Sequence, residues 1–76
     1  MAFVKEIAYG TNGWNIILYT DDTKYIGYTK NGDICNGYGT LYAKDGSVIG
    51  RGVWEENELI EPIDESEYNK LVNISI

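Results

Sequence analysis

The densest set of chemically capable side chains in this 76-residue sequence is "EENELIEPIDESE", residues 55–67, with seven carboxylates and no base. Carboxylates packed this closely can ligate a metal, divide acid and base roles between them, or simply present charge. Calcium ligation of the EF-hand kind needs a regular ligand spacing and a glycine at the sharp turn, and neither is present. With no His and a single cysteine, Cys35, the four Cys/His ligands of a zinc site cannot be assembled. Asp21-Asp22 forms a second acidic pair, but adjacent carboxylates on a turn tip are solvated and diverge. Cys35 has no histidine to activate it, so it is expected as a small apolar residue in a glycine-rich turn region. "NGYGTLYAKDG", residues 36–46, lacks the lysine-serine/threonine end or spaced glycine triplet of a phosphate cradle, and it runs into a strand-forming segment. No catalytic residue, metal or cofactor is therefore expected, and charge and surface remain as the carriers of function.

The charge is concentrated. Residues 1–54 hold five acids and five bases, which cancel, and the net charge of −6 arises after them. Such an edge repels DNA, RNA and anionic lipid and attracts basic protein surfaces. A chain this short buries only about 60% of its unfolded surface, so self-association or a partner is expected to add stability. A lone thiol fits a reducing, cytoplasmic setting. The start lacks an apolar signal-peptide core, and no run approaches the ~20 residues that span a bilayer.

Strands are needed to position these groups. Asn12-Gly13, Asp21-Asp22, Asn31-Gly32, Asp45-Gly46 and Glu56-Asn57 supply turn residues at short intervals. Between them, segments rich in Val, Ile, Tyr, Thr and Trp predict strands over 3–10, 14–20, 24–29, 38–43, 47–54 and 58–61. Loops this short force antiparallel neighbours. The expected fold is mainly β: one domain with a five- to six-stranded antiparallel meander over 1–61, then an acidic linker and a short C-terminal helix within 62–76. Asp64 can cap that helix, with Glu67 completing a capping box and Ile63 and Tyr68 placed as a hydrophobic staple. Lys70 suits the negative helix end. Tyr68, Leu71, Val72 and Ile76 make one apolar stripe, although Val72, Ile74 and Ile76 also alternate as a strand would. So short a helix must lie on something, and the bare face of the sheet is its expected seat.

"LYTDDTKYIG" (18–27) and "LYAKDGSVIG" (41–50) share five residues at a shift of 23, which suggests repeated hairpins. Together with Tyr25-x-Gly27, Lys30-Asn31-Gly32, Gly37-Tyr38-Gly39 and Gly52-x-Trp54, this period resembles the MORN repeat over about residues 14–60. Thr29 stands where that family has Trp, one extra residue precedes Gly37, and Asn57 replaces the last Gly. Gly50 and Gly52-x-Trp54 offer two registers two residues apart, which a bulge could reconcile. The resemblance implies consecutive hairpins in a twisted sheet with packed aromatics, no catalytic residue, and a role in protein contacts or at membrane lipids.

Seven Trp and Tyr residues in the 14–54 span can pack across strands or form a binding face. One helix cannot cover two apolar sheet faces, so an exposed apolar patch is expected. The expected function is non-enzymatic: an aromatic β-face and an acidic edge dock onto a basic protein surface through Glu55, Glu56, Glu58, Glu61, Tyr25, Tyr28, Tyr38 and Trp54. A chain of this size and charge resembles phage-encoded inhibitors of host nucleases, including anti-CRISPR proteins. Two alternatives stand beside it. One is an oligomeric binder of a nucleotide or lipid in a pocket lined by Tyr25, Tyr28 or Tyr38; the other is a plain structural interaction module.

Overall fold

The computed structural model describes residues 2–75. Six antiparallel strands form one sheet in sequence order: β1 (Val4–Ala8), β2 (Trp14–Tyr19), β3 (Lys24–Lys30), β4 (Ile34–Tyr42), β5 (Val48–Glu55) and β6 (Glu58–Pro62). Helix α1 (Glu65–Ser75) follows. The turns form where the sequence places them. Asn31 and Gly32 adopt φ of 56° and 86°, and Glu56 and Asn57 adopt 48° and 68°. These are the left-handed angles that let a tight loop match the twist of its strands. Asp21 and Asp45 each accept hydrogen bonds from both the backbone and the hydroxyl two residues on, at Thr23 and Ser47.

Three features differ from the sequence expectation. Strand β4 begins at Ile34, so Cys35 lies in a strand and not in a turn. Within it Tyr28 of β3 faces Asn36, Gly37 and Tyr38, a bulge that the glycine at φ 104° permits. The repeat is real in its turns but not in phase with the shared residues. The turn bond from Tyr19 N to Thr23 O recurs from Ala43 N to Ser47 O, a shift of 24. Beyond the turn, a bulge at Ile49 moves the shift to 25, so that Gly52, not Gly50, is the counterpart of Gly27. A one-residue slip reverses the face, and Leu18 and Leu41 accordingly lie on opposite faces. Finally, α1 runs on to Ser75, which leaves Lys70 in mid-helix and no base in the last turn.

The helix start is as expected: Asp64 accepts a hydrogen bond from the Glu67 amide at 2.9 Å. Tyr68 and Val72 are buried and Leu71 is half-buried, while Ile76, the far end of the expected stripe, lies outside the described residues. The Tyr68 ring meets Tyr38 edge-on at 6.3 Å, under the Arg51 guanidinium. The helix thus covers the β4–β5 part of one sheet face.

The opposite face holds the core of Ile17, Tyr25, Cys35 and Trp54, although no second layer of described residues covers it. The sheet itself must coil around them. The Tyr19 hydroxyl lies 3.2 Å from Cys35 Sγ. Cys35 pairs with Thr29, whose amide bonds Gly13, six residues from Tyr19. On a flat sheet that separation is about 20 Å along the strands and about 10 Å across them, beyond the reach of one ring and one thiol. Coiling closes it, and bulges sharpen coiling. The Tyr25 ring then lies on a floor formed by Gly27 and Gly39, with its hydroxyl donating to the Tyr28 carbonyl at 2.7 Å. The Trp54 ring crosses Tyr25 edge-on at 5.5 Å and donates from Nε1 to the Gly39 carbonyl at 3.0 Å.

That packing is directly testable. A methyl at Gly39 collides with the Tyr25 ring, whereas one at Gly46 meets nothing within 4 Å. Gly39→Ala is expected to cost about 3 kcal/mol by overpacking, and Gly46→Ala about 1 kcal/mol from its left-handed backbone alone. Urea denaturation of the two variants measures the difference, and equal losses would contradict the glycine floor.

Candidate functional site

Strand alternation and the observed register sort the expected site residues onto two faces. On the helix-bearing face, Trp14 pairs with Tyr28, and Tyr38 pairs with Val53, which pairs with Glu61. One row therefore crosses five strands, from two half-buried rings through Tyr38 to a carboxylate. Glu55 and Glu58 face each other directly on the same side, one step farther along the hairpin. The aromatic row is tied together by the edge-on contact of Trp14 with Tyr28, at 5.0 Å between centroids.

Tyr28, Tyr38, Glu55, Glu58 and Glu61 are thus brought onto one surface. Glu56 sits at the hairpin tip, where Lys30 approaches its carboxylate at 2.7 Å and is held more firmly protonated by it. Tyr25 and Trp54 are corrected by the structure. Tyr25 is 0% exposed and Trp54 7%, both on the coiled face, so neither ring joins the docking row. Their position follows from parity: Tyr25 is an odd number of residues from Tyr28, and Trp54 is adjacent to Val53. Sequence reasoning missed Trp14 as the head of the row. Its signal was the direct cross-strand match to Tyr28.

The acidic hairpin is a fixed platform. The Asn57 side chain accepts the Cys35 amide at 2.7 Å, and the Asn57 amide donates to the Cys35 carbonyl at 3.0 Å. The Glu56 amide reaches Asn36 Oδ1 at 3.4 Å. These bonds lock the tip of the β5–β6 hairpin to the start of β4, so its carboxylates project from ordered backbone. Arg51, two residues before Val53 of the row, is committed to the Tyr68 ring and to Thr40 Oγ1. Carboxylates beside half-buried tyrosine rings suit a guanidinium or ammonium, by ion pairing with the carboxylates and by cation–π attraction wherever the cation meets a ring face.

The protonic groups of the coiled face are held neutral. Burial pushes the Cys35 thiol up, against a smaller opposing effect of its bond to Tyr19. Burial also raises Tyr19 and Tyr25 well above the ordinary tyrosine range, each further raised by the neighbouring Cys35. Cys35 is 3% exposed and its side-chain partner is a phenol, an arrangement that keeps a thiol and does not make a thiolate nucleophile.

No protein-family model, no curated protein and no solved structure matches this chain. No helix among the described residues is long and apolar enough to cross a membrane.

The raised pKa values carry a sign. The unfolded chain ionises cysteine near pH 9.0 and tyrosine near 10.0, while the folded chain keeps those protons to higher pH. The stability they contribute is complete below the unfolded values and is lost as pH rises through the folded ones. The urea midpoint is expected to stay level from about pH 7 to 8.5 and to fall above about 9. In Cys35→Ala the fall should begin about one pH unit later. A midpoint that rises with alkaline pH, or an unchanged onset in Cys35→Ala, would contradict this burial.

Proposed function

We propose that this protein is a non-enzymatic binding module. It docks the row Trp14, Tyr28 and Tyr38 and the carboxylates of Glu55, Glu58 and Glu61 onto a basic protein surface, and its class of target is a nucleic-acid-binding or host-defence protein that it inhibits. The MORN-like hairpin pattern, read as a protein-contact scaffold, is part of the same proposal.

The observation that carries the reading is the Glu55–Glu58 pair. Like charges directly opposite on neighbouring strands destabilise a sheet, by about 0.2–1 kcal/mol. Here the two residues sit on an exposed two-residue hairpin, where a lysine at either position would turn repulsion into attraction. Glu61 adds a third charge on that side, and Lys30 at the end of β3, whose ammonium reaches the hairpin tip, is taken by Glu56. A surface that keeps repulsion at the expense of its own stability gains when a cationic partner relieves it. A groove built for phosphates offers such cations, and closely spaced carboxylates are the anions that would fill it.

The trade-off sets the experiment. Glu58→Lys is expected to raise the stability of the free protein by about 0.5 kcal/mol while weakening capture of the partner from native-host extract. Triple reversal of Glu55, Glu58 and Glu61 to Lys should abolish capture. A chemical-denaturation curve and an affinity pull-down with mass-spectrometric readout measure both. Capture unaffected by the triple reversal would overturn acidic docking, and Glu58→Lys that destabilises the free protein would overturn the stored repulsion.

A further inference from the structure

The coiled face carries a concavity apart from the aromatic row, and it touches the acidic 55–67 segment only at Asn57. It is a pocket of about 370 Å³ inside the curl of the sheet. Its walls are Tyr19, Leu41, Ile49 and Trp54, its floor reaches Cys35, and Asp21 stands among its lining groups. That volume lies in the range of small-molecule sites, which are largely apolar with a few placed polar groups.

Two details of the wall are unusual. Ile49 is the extra residue of the β5 bulge, pushed out of the ladder between Val48 and Gly50, and it stays 56% exposed. A bulge re-aims a side chain, and here an aliphatic group is turned to the lip of a cavity although the turn around it is polar. Tyr19 and Cys35 satisfy each other across the floor, so the deepest polar atoms make no demand on an occupant. What remains is an aromatic and aliphatic slot with one formal charge and two neutral polar residues, Thr23 and Asn57, in its lining. The Asp21 carboxylate is oriented by the Thr23 amide and hydroxyl, at 3.0 and 2.6 Å, bonds that hold it ionised.

From this geometry we propose that the pocket binds a small organic cation: a flat apolar body seated between Tyr19, Leu41, Ile49 and Trp54, with one protonated amine directed to Asp21. The walls supply burial for the body, and the half-buried Tyr19 ring supplies a π-system that favours a cation. Asp21 supplies the sign preference. A carboxylate-bearing analogue meets the one charge of the pocket with a like charge and is rejected.

Three indole probes of equal body separate these contributions: tryptamine as cation, indole as neutral body and indole-3-acetate as anion. Amide and side-chain shifts in two-dimensional NMR titrations report both affinity and place. Tryptamine is expected to saturate with the lowest Kd, indole next and indole-3-acetate last, with the largest shifts at Tyr19, Leu41, Ile49 and Trp54. Asp21→Asn should weaken tryptamine about fivefold, the size of one solvent-exposed ion pair, and leave indole unchanged. Ile49→Ser should weaken tryptamine and indole alike. Absence of saturation by tryptamine, shifts centred outside these residues, or an Asp21→Asn protein that still prefers the cation would each overturn the proposal. The acidic hairpin stays intact in both variants, so partner capture is an independent control.

Discussion

The structure depends on one steric constraint: the Tyr25 ring must lie against a sheet only six strands wide, with the Trp54 ring set nearly perpendicular to it. Tyr25 can do so because Gly27 and Gly39 present no side chain beneath it, and its hydroxyl then reaches a backbone carbonyl beyond them. Trp54 follows, anchored to Gly39 and set against Tyr25. Burying two such rings stabilises the fold by about 2–3 kcal/mol each, a large share for a chain of this size. Gly27 and Gly39 at the centre of the sequence therefore serve as a surface for a ring.

From that constraint the two faces acquire different characters. Coiling around Tyr25 and Trp54 makes one face concave and self-covering, so that the single helix is free to cap the other. On the capped face the helix reaches only the β4–β5 part, through Tyr68 and Val72, and the row from Trp14 to Tyr38 stays half open beside the acidic hairpin. The expected exposed apolar patch is thus not one continuous area. The exposed large apolar residues include Phe3, Val4 and Tyr9 in and around the first strand, Val48 and Ile49 at the β5 bulge, and Ile60 at the β6 bulge.

Much of the fold could be read from the sequence because turn chemistry and alternation agree there. Asn31-Gly32 and Glu56-Asn57 fall at loops, and the residues between them alternate in composition as paired strands require. The first half of β4 could not be read. Asn36 and Gly37 are turn formers by local preference, and the packing of Tyr28 against the bulge accompanies their place in the strand. The repeat was visible but its phase was not, since the turns recur at 24 residues and the shared residues at 23, and that one-residue difference, which leaves no local mark, puts Leu41 on the face opposite Leu18. The candidate surface was half readable. The charges of Glu55, Glu58 and Glu61 announce themselves, whereas the separation of Tyr28 and Tyr38 from Tyr25 and Trp54 requires knowing which face the coil encloses.

That separation of buried from available rings is the claim on which the docking surface rests. Hydroxyl-radical footprinting of the free protein, with oxidation resolved residue by residue in the mass spectrometer, measures it most directly. Tyr9, at 73% exposure, sets the rate of an open ring. The account predicts that Tyr28 and Tyr38 oxidise at an intermediate rate and that Tyr25 and Trp54 are protected at least tenfold relative to Tyr9, on the order expected for rings excluded from solvent. Oxidation of Tyr25 or Trp54 at the rate of Tyr9 would contradict it.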